Sequence, residues 1–201
     1  MKHSSIRELY DYWNARRGRR CAPARNDIDP GDIRSALADT FIVTLDQSAG
    51  HPFRIAGTRV CALFGRDLKQ QAFLDLWSSG SRTMMCDLLG IVARESIGLL
   101  AGITGTGDAG DIDLELLALP LVHDGRSDAR VLGALAPGCA PAWIGASAID
   151  QLALGTFRYV GPAVLSKAAP PPLPPNGRWR RGLRVYDGGH ARDKNGMLST
   201  G

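Results

Sequence analysis

The chain is expected to fold as an α+β domain: a mostly antiparallel five-stranded sheet with helices on one face and an N-terminal helical extension. Three observations predict this. Strand-like alternation appears twice near residues 40–56 and three times between 97 and 136; helical periodicity fills the ground before and between these blocks; and tight-turn residues join neighbouring strands. With 201 residues, 44% of them apolar, the chain supports one well-packed core.

The elements follow in order. Ser5-Ile6-Arg7-Glu8 has the form of a capping box, and Ile6, Leu9, Tyr10 and Trp13 then make one apolar stripe on a helix ending near Gly18. Asp29-Pro30 starts a second, short helix running to about Ala36 and hiding Ile33 and Leu37. TFIVTLD (40–46) alternates as a strand. The turn Gln47-Ser48-Ala49-Gly50 leads to HPFRIAG, where Phe53 and Ile55 at spacing two are expected on one face. Val60, Leu63 and Phe64 belong to a short helix stopped by Gly65, and Phe73, Leu76 and Trp77 form a second apolar cluster. A longer helix over about Ser81–Glu95 turns Met84, Met85, Leu88, Leu89 and Val92 inward. Strands follow at 97–105, 111–122 and 129–136, the last two joined by Asp124-Gly125.

Composition sets further bounds. Residues 1–25, the amphipathic helix and its basic connection, carry a formal +5; residues 26–165, the sheet-bearing domain, carry −6; residues 166–201 carry +5. A mildly acidic body with two basic ends argues against a broad nucleic-acid face. No apolar run approaches the ~18 residues a membrane helix needs, and the N-terminus lacks a signal-peptide core, so a cytoplasmic location is expected. The tail reads as disordered: AAPPPLPP supplies few backbone donors, and the stretch beyond it is polar and glycine-rich.

Several blocks, read together, point to a family. YW in the first helix, then RRG-R-AP-R-DIDP, then FRIAGTRVCALFGRDL followed by F--LW, resemble short stand-alone bacterial PAS-related proteins of the alphaproteobacterial type over residues 8–160. The resemblance implies a PAS-like fold and a sensory or signalling role exercised through a small ligand or a docked partner. In PAS domains the ligand cavity lies between sheet and helices. The apolar positions placed to line such a cavity here are Phe53, Ile55, Val60, Leu63, Phe64, Met84, Leu88, Leu100, Leu116 and Leu135, with a filled core as the alternative.

Other chemistries find little in the residues. Cys21, Cys61, Cys86 and Cys139 are scattered free thiols without metal-ligand spacing, and core packing accounts for Cys61. Arg59-Val60-Cys61-Ala62 does not match the photosensor motif of the superfamily. The long helix holds no histidine for haem, and His51 and His123 are expected to face solvent. Thr104-Gly105-Thr106-Gly107 is neither a P-loop nor a Rossmann turn. Asp111, Asp113 and Glu115 at spacing two describe a solvated strand face. No nucleophile–base–orienter set stands out, so no catalytic residue, metal or cofactor is assigned and the chain is read as non-enzymatic.

Partner contact or self-association is assigned to the first helix and its connection, through Ile6, Leu9, Tyr10, Trp13, Arg16 and Arg17. Arg16, Arg17, Arg19, Arg20 and Arg25 fall between two helices, where they pair with carboxylates and build the domain. The alternative is a nucleic-acid-binding regulator using these arginines and the tail's Arg178, Trp179, Arg180, Arg181 and Arg184. The tail's Pro171–Pro175 run also carries PxxP spacing.

Overall fold

A computed structural model describes residues 1–122, 129–139, 144–161, 177–180 and 183–186. The chain divides into Met1–Ala163 and Val164–Gly201. The first unit is built on a six-stranded antiparallel sheet of β1 (Thr40–Thr44), β2 (Phe53–Ala56), β3 (Gly98–Gly107), β4 (Gly110–Leu121), β5 (Arg130–Pro137) and β6 (Ile149–Val160). Their order is β2-β1-β5-β4-β3-β6. The five strands expected from sequence form the contiguous block; β6 is the addition, paired along the free edge of β3. Two bulges hide β6 from a period-two reading. Its partners on β3 slip between Ala101 and Ile103 and between Thr106 and Gly107, so the residues it aligns with one face of β3 (Ile149, Leu152, Leu154, Phe157, Tyr159) are spaced three, two, three, two.

The front face carries α2 (Thr58–Leu63) and α3 (Ser79–Glu95). Phe41, Phe53, Phe73 and Trp77 fill its centre, with ring centroids 5.6–5.7 Å apart in edge-on and offset arrangements. Gly133, opposite Phe41 on β5, lets that ring lie flat: a Cβ there would stand 2.2 Å from it. From α3 the buried residues are Met85, Leu88, Leu89 and Val92. Met84 is 49% exposed, so the helix phase gives its inner place to Met85.

The back face is covered as well, which corrects the expected single helical layer. Helix α1 (Ser4–Arg17) lays Ile6, Leu9 and Trp13, all fully buried, against Leu117, Leu119, Leu121, Leu132, Ala134 and Ala136. The Trp13 indole donates to the Pro120 carbonyl at 2.9 Å. The capping box does not form: His3 Nδ1 accepts from the Ser5 backbone N–H at 3.3 Å, while the Glu8 carboxylate takes the Ser35 hydroxyl at 2.6 Å. Asp29 caps as expected, accepting from the Gly31 N–H at 2.8 Å, but the turn it starts (Pro30–Ile33) is 3-10. Strand β4 records the edge of α1's cover. Its first half alternates exposed Asp111 and Asp113 with buried Ile112 and Leu114, whereas Leu116–Leu121 is buried on both faces.

The second unit contains an antiparallel pair, β7 (Gly177–Arg180) and β8 (Leu183–Tyr186), within the stretch expected to lack regular structure. The Asp124-Gly125 turn, His123 and the proline run lie outside the described residues.

Candidate functional site

The ten proposed cavity residues divide three ways. Phe53, Val60, Leu63, Phe64, Leu88, Leu116 and Leu135 meet in the front cluster, each buried. Leu100 is buried too, but in the back cluster, because β3 turns alternate residues to opposite faces. Ile55 and Met84 stand half exposed. Ile55 parts from Phe53 because the β1–β2 register slips between Val43↔Phe53 and Ile42↔Ile55, a bulge that breaks their shared face. Trp77 Nε1 is buried in the same region without a hydrogen-bond partner among the described residues.

A concavity lies on the back of the sheet, beyond the start of α1. It is an open groove of about 810 Å³. The backs of β3 and β4, residues 155–158 of β6 and Met1–His3 enclose it. The wall at the chain's start is fixed by Glu115, whose carboxylate accepts the Lys2 and His3 backbone N–H groups at 2.8–3.0 Å. The floor is low because Gly102 and Gly155 approach closely; a Cβ on Gly155 would stand 2.9 Å from the Gly102 carbonyl oxygen. Met1 and Leu100 supply apolar surface, and Thr104, Thr156, Asp113 and Arg158 supply polar groups; the Phe157 side chain, aligned with Ala101, belongs to the front face. Arg158 makes no ion pair among the described residues. Sequence reasoning missed this groove: it read Asp113 and Glu115 as a solvated face and left β6 unassigned.

The residues assigned to partner contact are in part used up inside the domain. Ile6, Leu9 and Trp13 are fully buried under the fold's own sheet, leaving the half-buried Tyr10 and Arg17 and the exposed Arg16 at the surface. Arg16 pairs with Asp32 and lies over the Tyr12 ring. Arg20 pairs with Asp27 at 2.8 Å. Arg17 donates to Asn14 and to the Gly18 and Arg20 carbonyls, capping the end of α1. The Ala24 backbone N–H, and after it Arg20, holds the Asp27 carboxyl below its ordinary range. The arginines thus knit the helix connection together, as a domain-building role requires.

His51 is buried, with 5% exposure, where a solvent-facing ring was expected. It sits at positive φ at the end of the β1–β2 turn, and that turn folds its ring beneath α3, beside Cys86. A buried charge lies just before β1. Asp39, fully buried, receives both Nε and Nη2 of Arg59 from α2 at 2.6 Å. Gly57 permits this junction, since a Cβ there would stand 2.3 Å from the Leu37 carbonyl oxygen.

Among the described residues no three His, Cys, Asp or Glu side chains gather as metal ligands, and no helix is long and apolar enough to cross a membrane. A five-strand antiparallel block with short helices and a long helix on its front defines a class of small α+β modules. The family model for the PAS domain matches residues 1–136, and the chain belongs to that family. Strand β6, which supplies residues 155–158 of the groove's lining, and the β7–β8 pair lie outside the matched stretch. No curated protein matches the chain.

Proposed function

We propose that the chain is a non-enzymatic signalling module that binds a small amphipathic molecule in the back groove and passes its occupancy to a partner protein. The groove itself carries this reading. Its volume of about 810 Å³ falls within the ~300–1,000 Å³ typical of small-molecule sites. Met1 and Leu100 offer apolar contact beside Arg158, which has no ion-pair partner among the described residues, a combination suited to an apolar body with an anionic head. The PAS membership supports the sensory role.

Gly102→Val tests the site. Its Cβ would meet only Thr156 atoms at 3.7–3.8 Å, so the new side chain fits the strand and projects into the groove. Protein purified from its own host, weighed by native mass spectrometry, should carry a bound small molecule that Gly102→Val lacks while keeping its melting temperature. Equal occupancy in both proteins would reject the groove.

A second reading keeps the ligand in the front cluster, where the unpartnered Trp77 Nε1 and seven of the expected cavity residues favour it. In that case Trp77→Phe, not Gly102→Val, removes the bound mass. The nucleic-acid alternative gains no support at the N-terminal segment, where the arginines hold the helix connection.

A further inference from the structure

We propose that Cys86 and His51 form a thiol–imidazole pair that makes Cys86 a site of oxidation by hydroperoxides. The Cys86 Sγ on α3 lies 3.8 Å from His51 Nε2, and Gln47 Nε2 donates to the same sulfur at 3.6 Å. Two segments distant in sequence, the β1–β2 turn and α3, thus converge on one sulfur. Cys86 keeps partial exposure, so a small oxidant reaches it.

The histidine is the independent observation. The residue is 95% buried, its Nδ1 has no hydrogen-bond partner among the described residues, and its backbone sits at φ +62°. A filler residue carries neither an unpaired buried nitrogen nor a left-handed backbone at no cost. The other ring nitrogen, Nε2, is the one that faces the sulfur. Burial lowers the proton affinity of His51 against the opposing pull of Asp46, so the ring is uncharged at neutral pH and able to take a proton. Cys61 provides the contrast within the same molecule. It is also half buried on a helix, but its thiol faces only the Ala56 carbonyl at 3.9 Å, which cannot accept a proton at neutral pH.

The chemistry balances without a further reagent. As the Cys86 sulfur attacks one peroxide oxygen and the O–O bond breaks, His51 Nε2 takes the thiol proton and delivers it to the departing oxygen. The thiol becomes a sulfenic acid and the hydroperoxide an alcohol, or water from hydrogen peroxide; sulfur loses two electrons and the peroxide gains them. The Gln47 amide is placed to donate to the new oxygen. That oxygen enters the contact between the turn and α3, where it alters how the helix sits on the sheet.

The test treats the intact chain with hydrogen peroxide, traps sulfenic acid with a dimedone reagent and resolves each cysteine by mass spectrometry. Cys86 should be trapped at least about tenfold faster than Cys61, a modest share of what a positioned base contributes. His51→Asn, a residue that tolerates positive φ, should erase the difference and leave Cys61 unchanged. Cys86 reacting no faster than Cys61 in the unaltered protein overturns the proposal without recourse to any variant. So does a folded His51→Asn protein in which the difference persists.

Discussion

Replacing Arg59 with alanine strips a fully buried carboxylate of its cation. The Asp39 side chain is 1% exposed, whereas Arg59, donating through two nitrogens at 2.6 Å, is 51% exposed. Breaking a buried pair from one side costs ~3–5 kcal/mol, since the remaining charge stays desolvated. Water entering the space of the half-exposed guanidinium moderates this, which places Arg59→Ala near the lower limit, about 3 kcal/mol. At ~2–4 °C per kcal/mol for a chain of this size, the melting temperature should fall by about 6–12 °C in calorimetry. Asp39→Asn added to Arg59→Ala removes the orphaned charge and should restore about half of that loss. A fall of less than about 2 °C would place the pair with ordinary surface ion pairs and refute the argument. A double variant no more stable than Arg59→Ala would assign the loss to the packing of the arginine stem.

Three further outcomes follow from the same packing and electrostatics. Deleting residues 1–17 uncovers Leu117, Leu119, Leu121 and Leu132, so light scattering after gel filtration should show association or loss of soluble protein; a stable monomer would contradict the two-sided core. Trp77→Phe removes a buried N–H whose lack of a partner costs ~1–3 kcal/mol and forfeits packing of similar size, so its urea midpoint should stay near that of the unaltered chain. A loss well above 3 kcal/mol would mean that a bound molecule satisfies the indole. Because burial lowers the His51 pKa below the ordinary 6.5, the unfolded chain takes up a proton first as pH falls. Stability is therefore full above about pH 6.5 and declines as pH drops through the lowered folded value. Urea midpoints at pH 7.5, 6.5 and 5.5 should slope less in His51→Asn, and equal slopes would reject this assignment.

How much of this was legible in the sequence depends on whether a residue's environment is set locally. The alternation of TFIVTLD and of Asp111–Leu116 placed β1 and β4 because the pleat alone decides which side chains face the core. The stripe Ile6, Leu9 and Trp13 foretold a buried helix face, but periodicity carries no information about what buries it. The surface that does was written elsewhere, in the unbroken apolar run Leu116–Leu121, which needs cover on both sides of β4. Reading the two together would have placed α1 on the back of the sheet and removed the case for a dimer through that stripe. Bulges defeated the period-two rule at Ile55 and along β6, since one inserted residue inverts every later side chain.

The same reasoning explains why the candidate sites were the least legible features. The groove exists where α1's cover of β4 stops and β6 widens the sheet, so its lining comes from five separate segments and no motif spans it. The Cys86–His51 contact joins a turn to a helix 35 residues later, and the histidine's burial depends on a positive-φ turn that no spacing rule announces. Both sites are products of how layers meet, and β6 lies beyond the PAS-matched residues 1–136. The groove takes one wall, residues 155–158, from β6, and that wall belongs to this chain's own elaboration of the fold. If that is where the signal enters, removing the contribution of Thr156 and Arg158 should abolish binding while leaving the five-strand block and its front core intact.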